Sequence, residues 1–290
     1  MIQAFALSFL CASTLLAQVV VQDPTLLVDV RMVEVYASVL DSHGKHVLGL
    51  EKDQFEIAED GRPQKIQLFE PQTAALSTAL LIDTTGSMLK ELPHVKNAVS
   101  VLLSSMKPED SFGLFSFTAS LTILHPFSRD RAAAMRELLR TRAAGTTALF
   151  DALTQLALEV SKVNGKKVIL LFTDGNDNSS HMTRETAVRN INRVGVPVYA
   201  VAKGDALASK PLMKCLEEIC QSTGGRVFKA KKSEDLVRIF AEIGRELQHL
   251  YLMGYYPSLD NPRKSDWHKV AVRLPEHRDF KVRAKEGYWQ

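Results

Sequence analysis

Between Leu76 and Leu250 the chain alternates short apolar runs with longer stretches whose apolar residues recur every three or four positions. No other feature narrows the fold as much. A continuous apolar run too short for a helix is stable only when both of its faces are covered, and amphipathic helices are what can cover them. The strand candidates are Ala79 to Ile82, Phe112 to Phe117, Leu121 to Leu124, Val168 to Phe172, Val196 to Val201 and Arg226 to Phe228. Helical stripes run through Leu92, Val95, Val99, Leu102 and Met106, through Leu149, Leu153, Leu156, Val160 and Val163, and through Leu236, Phe240, Ile243, Leu247 and Leu250. Such stripes are core faces. The pattern predicts an α/β fold, an open and mainly parallel sheet flanked by helices.

The flanks have a different texture. In residues 24–73, Val28, Val30 and Met32 alternate, the phase then shifts to Val33, Val35, Ala37 and Val39, and turns come next at Ser42-His43-Gly44-Lys45 and Glu59-Asp60-Gly61. This reads as strands with a bulge at Met32 and Val33. In residues 251–290, Val270, Val272 and Leu274, then Phe280, Val282 and Ala284, alternate around the Pro275-Glu276-His277-Arg278 turn. Neither flank is long enough to bury a good core alone. The two are therefore expected to co-fold as one small β-sandwich into which residues 76–250 are inserted.

The first residues stand apart again. Ala4 to Leu16 is almost wholly apolar and uncharged, a length that suits a secretory signal better than a membrane span. Residues 1–18 are read as a signal peptide cleaved after Ala17; if the apolar stretch continuing through Val19, Val20 and Val21 is retained, it is an amino-terminal membrane anchor. Either reading places the protein outside the cytoplasm, in a periplasm, on the cell surface or secreted. Cys215 and Cys220 are expected as two buried helix cysteines, since a bridge between them needs the helix to break. A net charge of +3 is small beside 36 cationic and 33 anionic side chains, so composition gives no reason to invoke nucleic acid.

Ligands of open α/β sheets gather at the carboxyl ends of the strands. At one such end stands Asp83-Thr84-Thr85-Gly86-Ser87, at another Thr173-Asp174-Gly175, and Gly145-Thr146-Thr147 opens the helix before the second. Asp83, Thr85, Ser87, Asp174 and a further hydroxyl from Thr146 or Thr147 are all hard oxygen donors. That chemistry suits Mg²⁺ or Mn²⁺. Two carboxylates leave a dication electrophilic enough to take a further anionic oxygen, so the expected partner is a protein offering an Asp or Glu carboxylate.

These residues resemble the metal-ion-dependent adhesion site of von Willebrand factor type A domains, a pattern of Asp-x-Ser-x-Ser, a distant Thr and an Asp after a buried strand. By this resemblance Asp83, Thr85 and Ser87 fall on the first segment, Thr147 on the threonine, with Thr146 a weaker alternative, and Asp174 on the second aspartate; Thr85 stands where the pattern usually has serine. The resemblance implies a Rossmann-like sheet over roughly Leu76 to Leu250 and a role in protein binding or adhesion. Leu50-Glu-Lys-Asp-Gln-Phe-Glu-Ile-Ala-Glu-Asp-Gly61, Thr223-Gly-Gly225, Tyr251-Leu-Met-Gly-Tyr255 and Gly287-Tyr288 further resemble a bacterial family of exported proteins usually called VWFA-related.

The leading expectation is thus a non-enzymatic, cation-dependent binding module. Two alternatives are a metal-dependent hydrolase and a metal-free scaffold of the same fold. An aspartic protease needs a second matching turn so that two carboxylates share a proton, and Thr173-Asp174-Gly175 lacks the required order. No HExxH, nucleophile elbow or Walker loop is present, and the eight histidines are scattered, His125 and His181 included.

Overall fold

A strand buried on both faces has to send alternate side chains into two different cores, and the computed structural model, which describes residues 32–174, 177–257 and 267–289, is organised by that division. The leading flank carries β1 (Val33–Leu40), β2 (Glu56–Glu59), β3 (Arg62–Gln64) and β4 (Leu68–Glu70). Then come β5 (Leu76–Asp83), α1 (Leu92–Ser105), β6 (Ser111–Phe117), β7 (Leu121–Ser128), α2 (Arg131–Arg140), α3 (Leu149–Ser161) and β8 (Lys166–Thr173). They are followed by α4 (Arg184–Val194), β9 (Val198–Ala202), the short α5 (Asp205–Ala208), α6 (Lys210–Thr223), β10 (Val227–Lys229) and α7 (Asp235–Leu247). The trailing flank supplies β11 (Tyr251–Tyr255), β12 (Trp267–Arg273), β13 (Lys281–Ala284) and β14 (Gly287–Trp289).

The central sheet has six strands in the order β10-β9-β8-β5-β6-β7, parallel except for β7. Leu80, Ile82, Leu170 and Phe172 face a core closed by α1, α2 and α7. Their neighbours Ala79, Leu81, Ile169 and Leu171 face a second core closed by α3, α4 and α6. At Gly244 of α7 a Cβ would collide with Ser105 Oγ of α1, so glycine there sets how closely the two helices approach. Cys215 and Cys220 both lie on the unbroken α6, buried and free, and burial pushes the Cys215 thiol up to about 11.

The flanks interleave strand by strand. One four-stranded sheet runs β13-β1-β11-β4 and another β14-β12-β2-β3, so each mixes leading and trailing segments. They share a core of Val35, Val39, Phe55, Ile57, Tyr251, Met253, Tyr255 and Val270, the small sandwich the alternation predicts. Asp60 and Gly61, with φ of 49° and 82°, make the two-residue turn of the β2–β3 hairpin. The expected bulge at Met32 and Val33 depends on Val28 and Val30, which, like the signal at 1–18, lie outside the described residues.

A single ammonium spans both passages between the flanks and the central sheet. Lys166, 1% exposed, donates from Nζ to Pro71 O (3.2 Å), Gln72 O (3.1 Å) and Leu250 O (3.0 Å), just before β5 and just before β11. Arg226 is half-buried between Glu242 and Glu246, and Glu246 also pairs with Arg283 of β13.

Candidate metal centre

The central sheet order places β5 between β6 and β8, so the chain leaves β5 in one direction and returns to β8 on the other side. Such reversals open a crevice at the carboxyl ends of the strands. Asp83 is the last residue of β5, and Ile82 pairs with Phe172 one residue before the end of β8. The two acid-bearing segments are therefore adjacent.

Within that crevice side-chain hydrogen bonds pair Thr85 with Asp83 and Ser87 with Asp174, four of the five residues expected from the sequence, and the two hydroxyl oxygens meet between the pairs. Asp83 Oδ1 accepts from Thr85 Oγ1 (2.7 Å) and Thr85 N (3.0 Å). The Thr85 and Ser87 hydroxyls are 3.1 Å apart, and Ser87 Oγ donates to Asp174 Oδ1 at 2.9 Å. On the other side Thr173 Oγ1 donates to Asp83 Oδ2 at 2.9 Å.

The segment before Thr147 lies along the same turn: Gly86 N donates to Gly145 O (3.3 Å) and Ala144 N to Thr84 O (2.8 Å), while the main chain of Thr147 itself bonds to Asn178 and Ser179. Gly145 adopts φ of 87°, a left-handed conformation that glycine takes without strain. Thr84 holds the base of the turn, donating from both N and Oγ1 to Phe117 O at 3.1 Å.

Electrostatically the crevice is short of positive charge. Asp83 is fully buried and Asp174 is 6% exposed. Burial raises the Asp83 carboxyl above the usual carboxylate range, against the opposing pull of the hydrogen bonds from Thr85 and Thr173. Burial also pushes Asp174 up to about 6, with the Asp83 and Glu91 charges adding to it and the Ser87 hydrogen bond opposing. Lys203 stands near but is spent on Glu91, at 2.8 Å. Two buried carboxylates with hydroxyls between them form an all-oxygen donor set that a divalent cation fits, and a cation would relieve the cost of burying both charges.

The family model for the von Willebrand factor type A domain matches residues 79–242. The chain belongs to the von Willebrand factor type A family. Among solved structures, a von Willebrand factor type A protein from Catenulispora acidiphila is similar at 17% identity and TM-score 0.53, covering 76% of this chain and 51% of that one. Proximal thread matrix protein 1 from the mussel byssus is similar at 18% identity and TM-score 0.52, covering 66% and 51%. A further structure of that byssus protein, described as having a zinc-occupied MIDAS motif, is similar at 19% identity and TM-score 0.51, covering 65% and 49%. This chain thus spans about half the length of these relatives. No curated protein matches it in sequence.

Sequence reasoning about the type A site ended at Asp174 and missed Asp177 and Asn178. Asn178 Oδ1 accepts from Thr147 N (2.9 Å), and Asp177 Oδ2 accepts from Phe150 N (2.9 Å) at the start of α3. The signal was present as a dense set of short polar side chains, Asp177-Asn178-Ser179-Ser180, the types that cap helices and pin loops. Of the scattered histidines, His181 is engaged with Asp151 (3.2 Å) and His125 with Ser128 (2.8 Å).

A second grouping of ligand types, Glu59, Asp60 and His268, lies in the flanking sandwich with ligand atoms within 4.8 Å of one another. Glu59 Oε2 accepts from Tyr255 (2.7 Å) and Tyr288 (3.0 Å), and His268 Nδ1 is 2.9 Å from Asp60 Oδ2. Those bonds brace β2 against β11, β12 and β14.

Proposed function

We propose that this chain is a non-enzymatic, protein-binding module that ligates a partner's Asp or Glu carboxylate through a divalent cation, Mg²⁺ or Mn²⁺, held by Asp83, Thr85, Ser87, Thr147 and Asp174. The observation that carries this reading is a pair of hydroxyl-to-carboxylate hydrogen bonds, Thr85 to Asp83 and Ser87 to Asp174, whose hydroxyl oxygens meet at 3.1 Å and so gather hard oxygen donors from two strand ends. A bound cation supplies an electrophilic centre with coordination positions left for an external oxygen. The chain's own part is to hold the two carboxylates and the hydroxyls at one point.

Residues 76–250 are taken as the binding body, with 24–73 and 251–290 as the sandwich that carries it. The apolar start and the family resemblance support a location outside the cytoplasm, with the amino terminus either cleaved or serving as an anchor. Zinc in the site of the byssus protein supports occupancy by a divalent ion in a relative of this fold.

The test is capture of partners from an extracytoplasmic extract by residues after Gln22, in Mg²⁺ against EDTA, with Asp83→Ala as control. Capture lost in both EDTA and the variant is expected. Capture indifferent to both would overturn the cation-bridged mechanism.

A further inference from the structure

Thr147 has the least local support of the five donors. Residues 141–148 form no helix or strand, and α3 begins only at Leu149 with Ala148 at its cap position, a side chain that accepts no hydrogen bond. A loop hydroxyl contributes to a cation site only if its main chain is fixed, because ordering it on binding costs affinity.

The support comes from the far side of Asp174. Thr147 N donates to Asn178 Oδ1 at 2.9 Å, while Thr147 O accepts from Asn178 N at 2.9 Å and from Ser179 N at 3.1 Å. The same segment caps α3 from outside the helix. Phe150 N donates to Asp177 Oδ2 (2.9 Å) and Asp151 N to Ser180 Oγ (3.1 Å), and the Asp151 carboxylate in turn accepts from His181 N (2.8 Å) and Met182 N (3.0 Å). Groups that a helix start leaves unpaired are here satisfied by the chain beyond Asp174.

We infer that Asn178 is the positioning residue of the site: it grips the Thr147 peptide on both sides and so fixes the Thr147 hydroxyl relative to Asp174, four residues before Asn178 itself. The inference rests on the cation reading of Asp83, Thr85, Ser87, Thr147 and Asp174. Its consequence is that the third segment of the site is set by the second, and Asn178 acts on cation affinity without touching the cation.

The test compares the wild-type chain with Asn178→Ala and Asn178→Asp, reading Mn²⁺ affinity by electron paramagnetic resonance and amide hydrogen exchange by nuclear magnetic resonance. Asn178→Ala should expose the Thr147 amide to exchange while leaving Leu170 of β8 protected, and should weaken Mn²⁺ binding on the order of 10- to 100-fold, as loss of a ligand's supporting partner does elsewhere. Asn178→Asp keeps the accepting oxygen and should restore both the protection and most of the affinity. Unchanged Mn²⁺ affinity in Asn178→Ala, or equal losses in both variants, would overturn the positioning role alone. Absence of Mn²⁺ binding by the wild type would overturn the cation reading and this inference with it.

Discussion

Ser87 Oγ donates to Asp174 Oδ1 at 2.9 Å, joining positions 87 residues apart in sequence across the gap between β5 and β8. Two acids gather at that gap with no cationic side chain between them among the described residues, and burial raises the carboxyl of each.

Replacing one acid should therefore stabilise the cation-free fold. At neutral pH Asp174→Asn removes a charge whose carboxyl stands at about 6 against a usual 3.8, a penalty of up to about 3 kcal/mol. Thermal unfolding in EDTA should show a higher midpoint than the wild type, by about 2–4 °C per kcal/mol. A lower midpoint would mean that the Asp174 charge is already compensated.

The same carboxyl makes stability depend on pH, with a definite sign. A carboxyl whose folded pKa lies above its unfolded one favours the protonated folded chain, so this contribution is complete below pH 3.8 and is lost as pH rises through about 6. In EDTA, wild-type stability relative to Asp174→Asn should fall across that window. Mg²⁺ should reverse the trend, its stabilising effect growing as the pH rises and the proton leaves. Paired melts at pH 5 and pH 7.5 check both statements.

Thr85 separates hydroxyl from methyl. Its Oγ1 lies 2.7 Å from Asp83 and 3.1 Å from Ser87, so Thr85→Ala should weaken Mg²⁺ binding, whereas Thr85→Ser keeps the oxygen and should bind close to wild type. Calorimetric titration of the two variants distinguishes them.

Glu246, 5% exposed at its side chain, holds Arg226 at 2.7 Å and Arg283 at 2.8 Å, tying α7 to the sandwich. Glu246→Ala leaves both guanidinium groups without this partner. Allowing for their partial exposure, denaturant unfolding should register a loss of about 2–3 kcal/mol.

What could be read from the sequence divides along physical lines. β5 and β8 were legible because burial on both faces leaves a continuous apolar run, and α1, α3 and α7 because each carries a full stripe of large apolar residues. α2 and α4 were not, since they bury little beyond Ala134 and Leu138 in one and Ala187, Val188 and Ile191 in the other. The co-folding of the flanks could be argued from their size, but which strand pairs with which could not, because alternation fixes a face and not a partner. That Asp83, Thr85, Ser87 and Asp174 would lie together was legible from their places at and just after two strand ends. Asn178 was not, because its work is done on the main chain of Thr147 and leaves no spacing to read.

The most direct test of the cation site is the Mg²⁺-induced shift in unfolding midpoint of the wild-type chain beside Asp83→Ala and Asp174→Ala. A ligand that binds only the folded state stabilises it in proportion to the logarithm of its concentration above the dissociation constant. The wild type should gain in this way, and neither variant should gain at all. Equal gains in all three chains, or none in the wild type, would contradict the site.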